Sequence, residues 1–209
     1  MLNVADCCRL YRPIYDGGGE WDHLFPIDGS YAAVKRVDGI DYVIFRGSTT
    51  PLDWLEDFSA LMIDDHQLGP VHGGFRGGVL AVMYQIDHVI GPDVVVLGHS
   101  LGAAHAILYG GYLAARGRPA KQIVVWGEPR AGGPKLKSIL ASTPILSYRN
   151  GDAESHDPVT DVPIFIPVLE DYCHPRPLID VCAPPPRDDS WGPVAWHHFE
   201  LYCQACGAV

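Results

Sequence analysis

Residues 98–102 read Gly-His-Ser-Leu-Gly, a G-x-S-x-G spacing. Before them runs Val94-Val95-Val96-Leu97, a short unbroken apolar stretch. After them Leu101, Ala104, Leu108 and Tyr112 recur at helical spacing. A serine at such a strand-to-helix turn sits at a strained tip with its Oγ exposed. Glycines on both sides let strand and helix approach closely. The first helical N–H groups have no intrahelical partner, so the N–H of Leu101 can hold an oxyanion. These residues together predict a nucleophile, Ser100, that attacks a carbonyl carbon. His99 is expected to turn its side chain away from Ser100, so it is not read as the base.

A serine nucleophile needs a base, and the base needs an orienting carboxylate. In a strand–elbow–helix context the chain order is Ser, then Asp or Glu, then His. Downstream histidines are His105, His156, His174, His197 and His198. His105 falls on the helix after the elbow and reads as a packing or surface residue. His156 and His174 precede the last expected strand. His197 and His198 follow it, where a loop returns to the sheet edge, and His197 ranks first. Expected in the loop after a strand at Ile145–Tyr148, the acid has four candidates: Asp152, Glu154, Asp157 and Asp161. Asp157 ranks first because Pro158 fixes a turn beside it, with Asp152 and Asp161 as alternatives.

The surrounding elements must position these groups. Apolar spacing predicts helices over residues 2–11, 49–62, 75–90, 101–114, 133–141 and 198–206. Two strands, Tyr31–Val37 and Asp41–Phe45, flank Asp38-Gly39, a hairpin signal. Buried strands are expected at 93–97, 123–126, 145–148 and 177–181. From residue 75 onward helices alternate with short apolar strands, which implies a mainly parallel sheet covered on both faces. No composition shift marks a boundary, so residues 1–209 read as one α/β domain.

Composition removes several function classes. The chain has 209 residues, 47% hydrophobic, enough for a sizeable core. Its 15 basic and 25 acidic residues give a net charge of −10, which argues against nucleic acid and anionic membrane surfaces as partners. With 23 glycines and 18 prolines, many tight turns are expected rather than a long helical bundle. No apolar run approaches a membrane span. Asn3, Asp6 and Arg9 interrupt any signal-peptide pattern, so a cytoplasmic location is expected, with a secreted mature form left open. The cysteines are Cys7, Cys8, Cys173, Cys182, Cys203 and Cys206. They read as buried thiols, although Cys203 and Cys206 have CxxC spacing. No metal or cofactor is called for.

Six ordered blocks resemble the class 3 (fungal-type) lipases of the α/β-hydrolase fold. They are Val43-Ile-Phe45-Arg46-Gly47-Ser48 with Asp53-Trp54, Val71-His72-Gly73-Gly74-Phe75, the elbow, Gly127-Glu-Pro129-Arg130-Ala-Gly132, Asp157-Pro158-Val159, and His197 five residues before Tyr202. The likeness implies that fold, with a mainly parallel central sheet flanked by helices and antiparallel N-terminal strands. It implies Ser48 as a second oxyanion donor beside Leu101, Asp157 as the acid, and His197 over His198. It suggests residues 49–64 as a short lid, with Trp54, Leu55 and Phe58 facing the site or an oily substrate. His72, Arg46 and Arg130 read as structural. Residues Asp152 to His156 lengthen the acid loop relative to the family pattern.

The expected function is a serine carboxylic ester hydrolase working through an acyl-enzyme on acylglycerols or similar esters, touching a lipid–water interface transiently. Thioester or amide hydrolysis on the same triad is the enzymatic alternative. A binding protein that keeps the scaffold without catalysis is the alternative from another class.

Overall fold

The structure, a computed structural model, describes residues 1–27, 30–48, 62–152, 154–163, 172–186 and 192–208. Within them a seven-stranded sheet has the order β1-β2-β3-β6-β7-β8-β9. These strands are β1 (His23–Ile27), β2 (Ser30–Val37), β3 (Ile40–Phe45), β6 (Val94–His99), β7 (Gln122–Trp126), β8 (Ile145–Asn150) and β9 (Ile179–Val181). β1, β2 and β3 pair antiparallel, and from β3 to β9 every pairing is parallel. A separate hairpin joins β4 (Met62–Asp65) to β5 (Gly69–His72).

The central strands are apolar without interruption because both faces of the sheet are covered. Side chains alternate between faces with period two. Val43, Phe45, Val96, Ile123 and Val125 pack on one side with α2 (Gly73–Val89), α3 (Leu101–Ala115) and α4 (Pro134–Ile139). Tyr42, Ile44, Val95, Leu97, Val124 and Trp126 pack on the other with α1 (Val4–Tyr11) and α5 (Phe199–Ala205). The two chain ends therefore share one layer, behind the strands that carry the elbow.

Most expected elements are present, and the departures have physical reasons. β1 contains Pro26, which cannot donate to a ladder, and it lies at the sheet edge where that loss is tolerated. Sequence reading missed it for the same reason. β4 and β5 were also missed, being four residues each and carrying Asp64, Asp65 and Pro70. Buried Asp65 pins that hairpin, accepting from the N–H groups of Gln67 and Leu68, from Arg76 Nε at 2.6 Å and from the Tyr112 hydroxyl. Burial opposes its ionisation, but these donors outweigh burial and hold its pKa well below the usual carboxylate range.

The helix expected over 49–62 and the lid residues Trp54, Leu55 and Phe58 lie almost wholly outside the described residues. Of the lid range 49–64, the described part, 62–64, belongs to β4. The last strand is shorter than expected, starting at Ile179 rather than Pro177. None of the six cysteines is in a disulfide; Cys7, Cys8 and Cys203 are buried, whereas Cys182 is exposed, contrary to a uniformly buried set. Among the described residues no helix is long and apolar enough to cross a membrane.

Candidate active site

The parallel strands end together at one edge of the sheet: Phe45 pairs with Gly98, His99 with Trp126, and Trp126 with Tyr148. Ligand sites of open α/β sheets form outside this carboxyl edge. Ser48, Ser100, Gly127 and Asp157 all follow strand ends there.

Ser100 is the tip of the elbow, with φ 60° and ψ −130°, a region non-glycine residues rarely occupy. Holding it there costs on the order of 1–3 kcal/mol, offset by the packing around it. Its own N–H donates to the Trp126 carbonyl at 3.1 Å. A Cβ on Gly102 would overlap the carbonyl of Phe45, and one on Gly98 would overlap Gly102 itself. Only glycine lets β3, β6 and α3 converge at this point.

Asp157 is fully buried. Its Oδ2 accepts from His197 Nδ1 at 2.7 Å and from the Tyr202 hydroxyl at 2.5 Å, and its Oδ1 accepts from the Val159 N–H. A carboxylate at Nδ1 sets the tautomer: Nδ1 carries the proton and Nε2 presents a lone pair. His197 is 2% exposed, and Nε2 has no hydrogen-bond partner among the described residues. Ser100 Oγ likewise has none. Both residues line one cavity with Ser48, Tyr15, Val194 and Phe199. A serine hydroxyl and an imidazole nitrogen, each without a hydrogen-bond partner among the described residues, thus belong to residues lining one cavity. Such pairs commonly close to hydrogen-bond distance only once substrate is bound.

Gly127 supplies the room for the pair. Its φ is +57°, and a Cβ there would sit 2.7 Å from Asp157 Oδ2 and 2.7 Å from His197 Cε1. Fully buried Asn150 secures the segment that leads to His197: its amide Nδ2 donates to the carbonyls of Ala183 and Trp196, and its Oδ1 accepts from the Ala183 N–H.

The lengthened acid loop folds back on itself. Gly151 bridges His156, and Asp152 Oδ1 accepts from the N–H groups of Glu154 and Ser155. The Asp157 N–H then donates to the Asn150 carbonyl at 2.8 Å, so the extra residues leave Asp157 beside the end of β8. Asp152 is thereby a turn residue. Asp161 pairs with His156 and Arg130. His174 bonds Glu128 and the Thr160 carbonyl, and His105 is buried against Phe45 and Phe75. His198 sits at the N-cap of α5, on the cavity rim. Arg130 donates to the carbonyls of Asp161 and Pro163, and Arg46 stacks on the Tyr31 ring, both structural. His72 caps α2, its Nδ1 accepting from the Phe75 N–H.

Three tyrosines of the site were not identified from sequence. Tyr11 donates to the Phe45 carbonyl and accepts from the His99 N–H, tying the ends of β3 and β6. Tyr15 reaches His99, and Tyr202 reaches Asp157. Their one local signal was Tyr202 at a fixed distance from His197. His99 contacts the base-bearing loop as well. Its ring stacks on that of His197, centroids 4.6 Å apart, inside the same cavity.

A nucleophile elbow on a mainly parallel sheet with helices on both faces defines the α/β-hydrolase fold. The chain belongs to the class 3 lipase family, whose sequence model, Lipase (class 3), matches residues 42–166. A lipase of Rhizomucor miehei is 30% identical over 118 residues, covering 50% of this chain and 32% of the relative. The secreted mono- and diacylglycerol lipase A of Penicillium cyclopium is 25% identical over 173 residues, 74% of this chain and 52% of the relative. The chain thus spans between a third and about half of the curated relatives it matches. Among solved structures, the Rhizomucor miehei triacylglyceride lipase superposes with a TM-score of 0.68 at 22% identity, covering 85% of this chain and 76% of that one, a likeness of fold.

Proposed function

We propose that this protein is a serine carboxylic ester hydrolase acting on acylglycerols or similar lipid esters. One observation carries the reading: His197 is fixed by Asp157 at Nδ1, while its Nε2 and the Ser100 Oγ share one cavity without other partners. His197 Nε2 takes the hydroxyl proton as Ser100 Oγ attacks the ester carbonyl. The N–H groups of Leu101 and Ser48 receive the oxyanion, each worth about 3–4 kcal/mol in the transition state. His197 returns its proton to the departing alcohol, leaving an acyl group on Ser100. Water, activated by the same imidazole, then releases the acid. Asp157 orients the ring and stabilises its cation throughout.

The partner is the lipid ester itself, met at a lipid–water interface. Tyr15, Val194 and Phe199 give the cavity apolar walls beside the reacting groups. The Penicillium relative bears the name of a secreted protein, which favours a secreted form over the cytoplasmic expectation.

A short p-nitrophenyl ester and a fluorophosphonate probe test the reading. The unmodified protein should hydrolyse the first and be labelled by the second at Ser100. Ser100→Ala should lose labelling and at least about 10⁴-fold of the hydrolysis. Turnover that persists in a folded Ser100→Ala protein sinks the assignment. Matched ester, thioester and amide substrates rank the possible acyl transfers, with ester expected fastest.

A further inference from the structure

His99 belongs to the elbow by sequence, yet its side chain bonds the loop that carries the base. Its ring is buried, 4% exposed. Nε2 lies 2.9 Å from the main-chain carbonyl oxygen of His197. Nδ1 lies 2.7 Å from the Tyr15 hydroxyl. A carbonyl oxygen can only accept, so Nε2 carries the proton. In a neutral ring Nδ1 then presents a lone pair, and the Tyr15 O–H donates to it. Burial first, and the neighbouring His197 second, push the pKa of His99 well below the ordinary histidine value, so the ring is neutral. Burial pushes the Tyr15 phenol well above its ordinary value, so its proton is present to donate.

His99 thus touches His197 in two ways that complement each other. One is the hydrogen bond to its carbonyl. The other is the ring stack, with planes 25° apart. The His99 main chain is itself held, since its N–H donates to the Tyr11 hydroxyl, which donates in turn to the Phe45 carbonyl. A rigid element that carries the nucleophile therefore also grips the base 98 residues further along the chain.

The geometry points to His99, held in its Nε2–H tautomer by Tyr15, as the positioning residue that sets His197 against Ser100. This rests on the reading of Ser100, Asp157 and His197 as the reacting groups. A misplacement of about 1 Å in such a constellation costs on the order of 100-fold in rate. Loss of His99 should therefore slow acylation while leaving substrate affinity little changed.

Steady-state p-nitrophenyl ester hydrolysis and the rate of fluorophosphonate labelling test this, with thermal melts to check the fold. For His99→Leu, kcat and the labelling rate should fall about 10- to 100-fold, with KM within about two-fold. His99→Gln carries an amide N–H near the position of Nε2 and should recover most of that loss. His99→Asn, one carbon shorter, should not. Tyr15→Phe, which frees the tautomer, should fall between. In the unmodified protein, ¹⁵N NMR at neutral pH should report His99 as a neutral Nε2–H ring, a measurement that needs no variant to fold. Labelling of His99→Leu at the unmodified rate overturns the inference. So does a His99→Gln protein that melts normally yet is as slow as His99→Leu, or an Nδ1–H or doubly protonated His99. If the unmodified protein does not react with the probe, the ester-hydrolase reading falls and this inference with it. Equal rates in unmodified and His99→Leu protein remove this inference alone.

Discussion

Two arms meet at Ser100, and they are held by different forces. The elbow arm, residues 94–102, is secured by ladder bonds on both sides and by the convergence of backbones at Gly98 and Gly102. Its shape is enforced sterically. The base arm runs from Asn150, the last residue of β8, to Tyr202 in α5, and its key groups are tied to one another by side-chain hydrogen bonds between residues far apart in sequence. Asn150 reaches Trp196, Tyr202 reaches Asp157, and His99 reaches His197, across 46, 45 and 98 residues of sequence. A sterically enforced element should fail by not folding. An arm held by individual hydrogen bonds should fail by losing rate while the protein stays folded.

Ser100 itself apart, the largest effect should come from the base arm. Asp157→Asn keeps the side-chain shape but removes the carboxylate that sets the His197 tautomer, and kcat should fall about 10⁴-fold. Circular dichroism should show an intact fold. Near-normal turnover in that variant would break the distinction between the arms, because Asp157 would no longer be the group that fixes the base.

The elbow should respond in stability instead. Gly102→Ala drives a Cβ into the Phe45 carbonyl and should cost about 2–4 kcal/mol in a denaturant titration. An unchanged midpoint would show that the backbones can separate without penalty.

Acid sharpens the contrast at the helix behind the elbow. His105 is buried among aromatic rings, and burial lowers its pKa from 6.5 to about 4. As pH falls below 6.5 the unfolded chain takes up this proton while the folded chain resists. The stability present above 6.5 is therefore lost as pH falls towards about 4, by about 3 kcal/mol from this one group. His105→Gln should flatten the melting-temperature profile over that range. It should not abolish the slope, because the pKa of His99 is also lowered by burial and acts with the same sign, whereas Asp65 loses its contribution only below about 3.8. A profile unchanged by His105→Gln removes His105 from the account.

The smallest effect is expected at Asp161, the rejected acid. Its pairs with His156 and Arg130 are half-exposed. Asp161→Asn should leave kcat within about two-fold and stability within about 1 kcal/mol. A large loss of kcat there would reopen the choice of carboxylate.

The same contrast explains what could be read from the chain. The elbow was legible because its determinants are contiguous: an apolar run, two glycines around a serine, and a helical stripe. The central strands were legible because burial on both faces leaves an unbroken apolar run. β1, β4 and β5 were not, since Pro26, Pro70 and the Asp64-Asp65 pair are poor strand formers, kept in place by pairing and by the bonds that gather on Asp65. The contact between His99 and His197 was not legible, because a position beside Ser100 gives no hint that the ring lies against His197.

Sequence alone singled out Ser100 as the candidate nucleophile, gave the order of its candidate partners, and determined a mainly parallel α/β sheet to carry them, because turn chemistry and hydrophobic period are local properties. The tertiary structure decided the rest. It closed the extra acid-loop residues into a turn so that Asp157, not Asp152 or Asp161, meets His197. It brought Tyr11, Tyr15 and Tyr202 from the two chain ends into the site. Those contacts link residues far apart in the chain, and only packing both ends against one face of the sheet makes them neighbours.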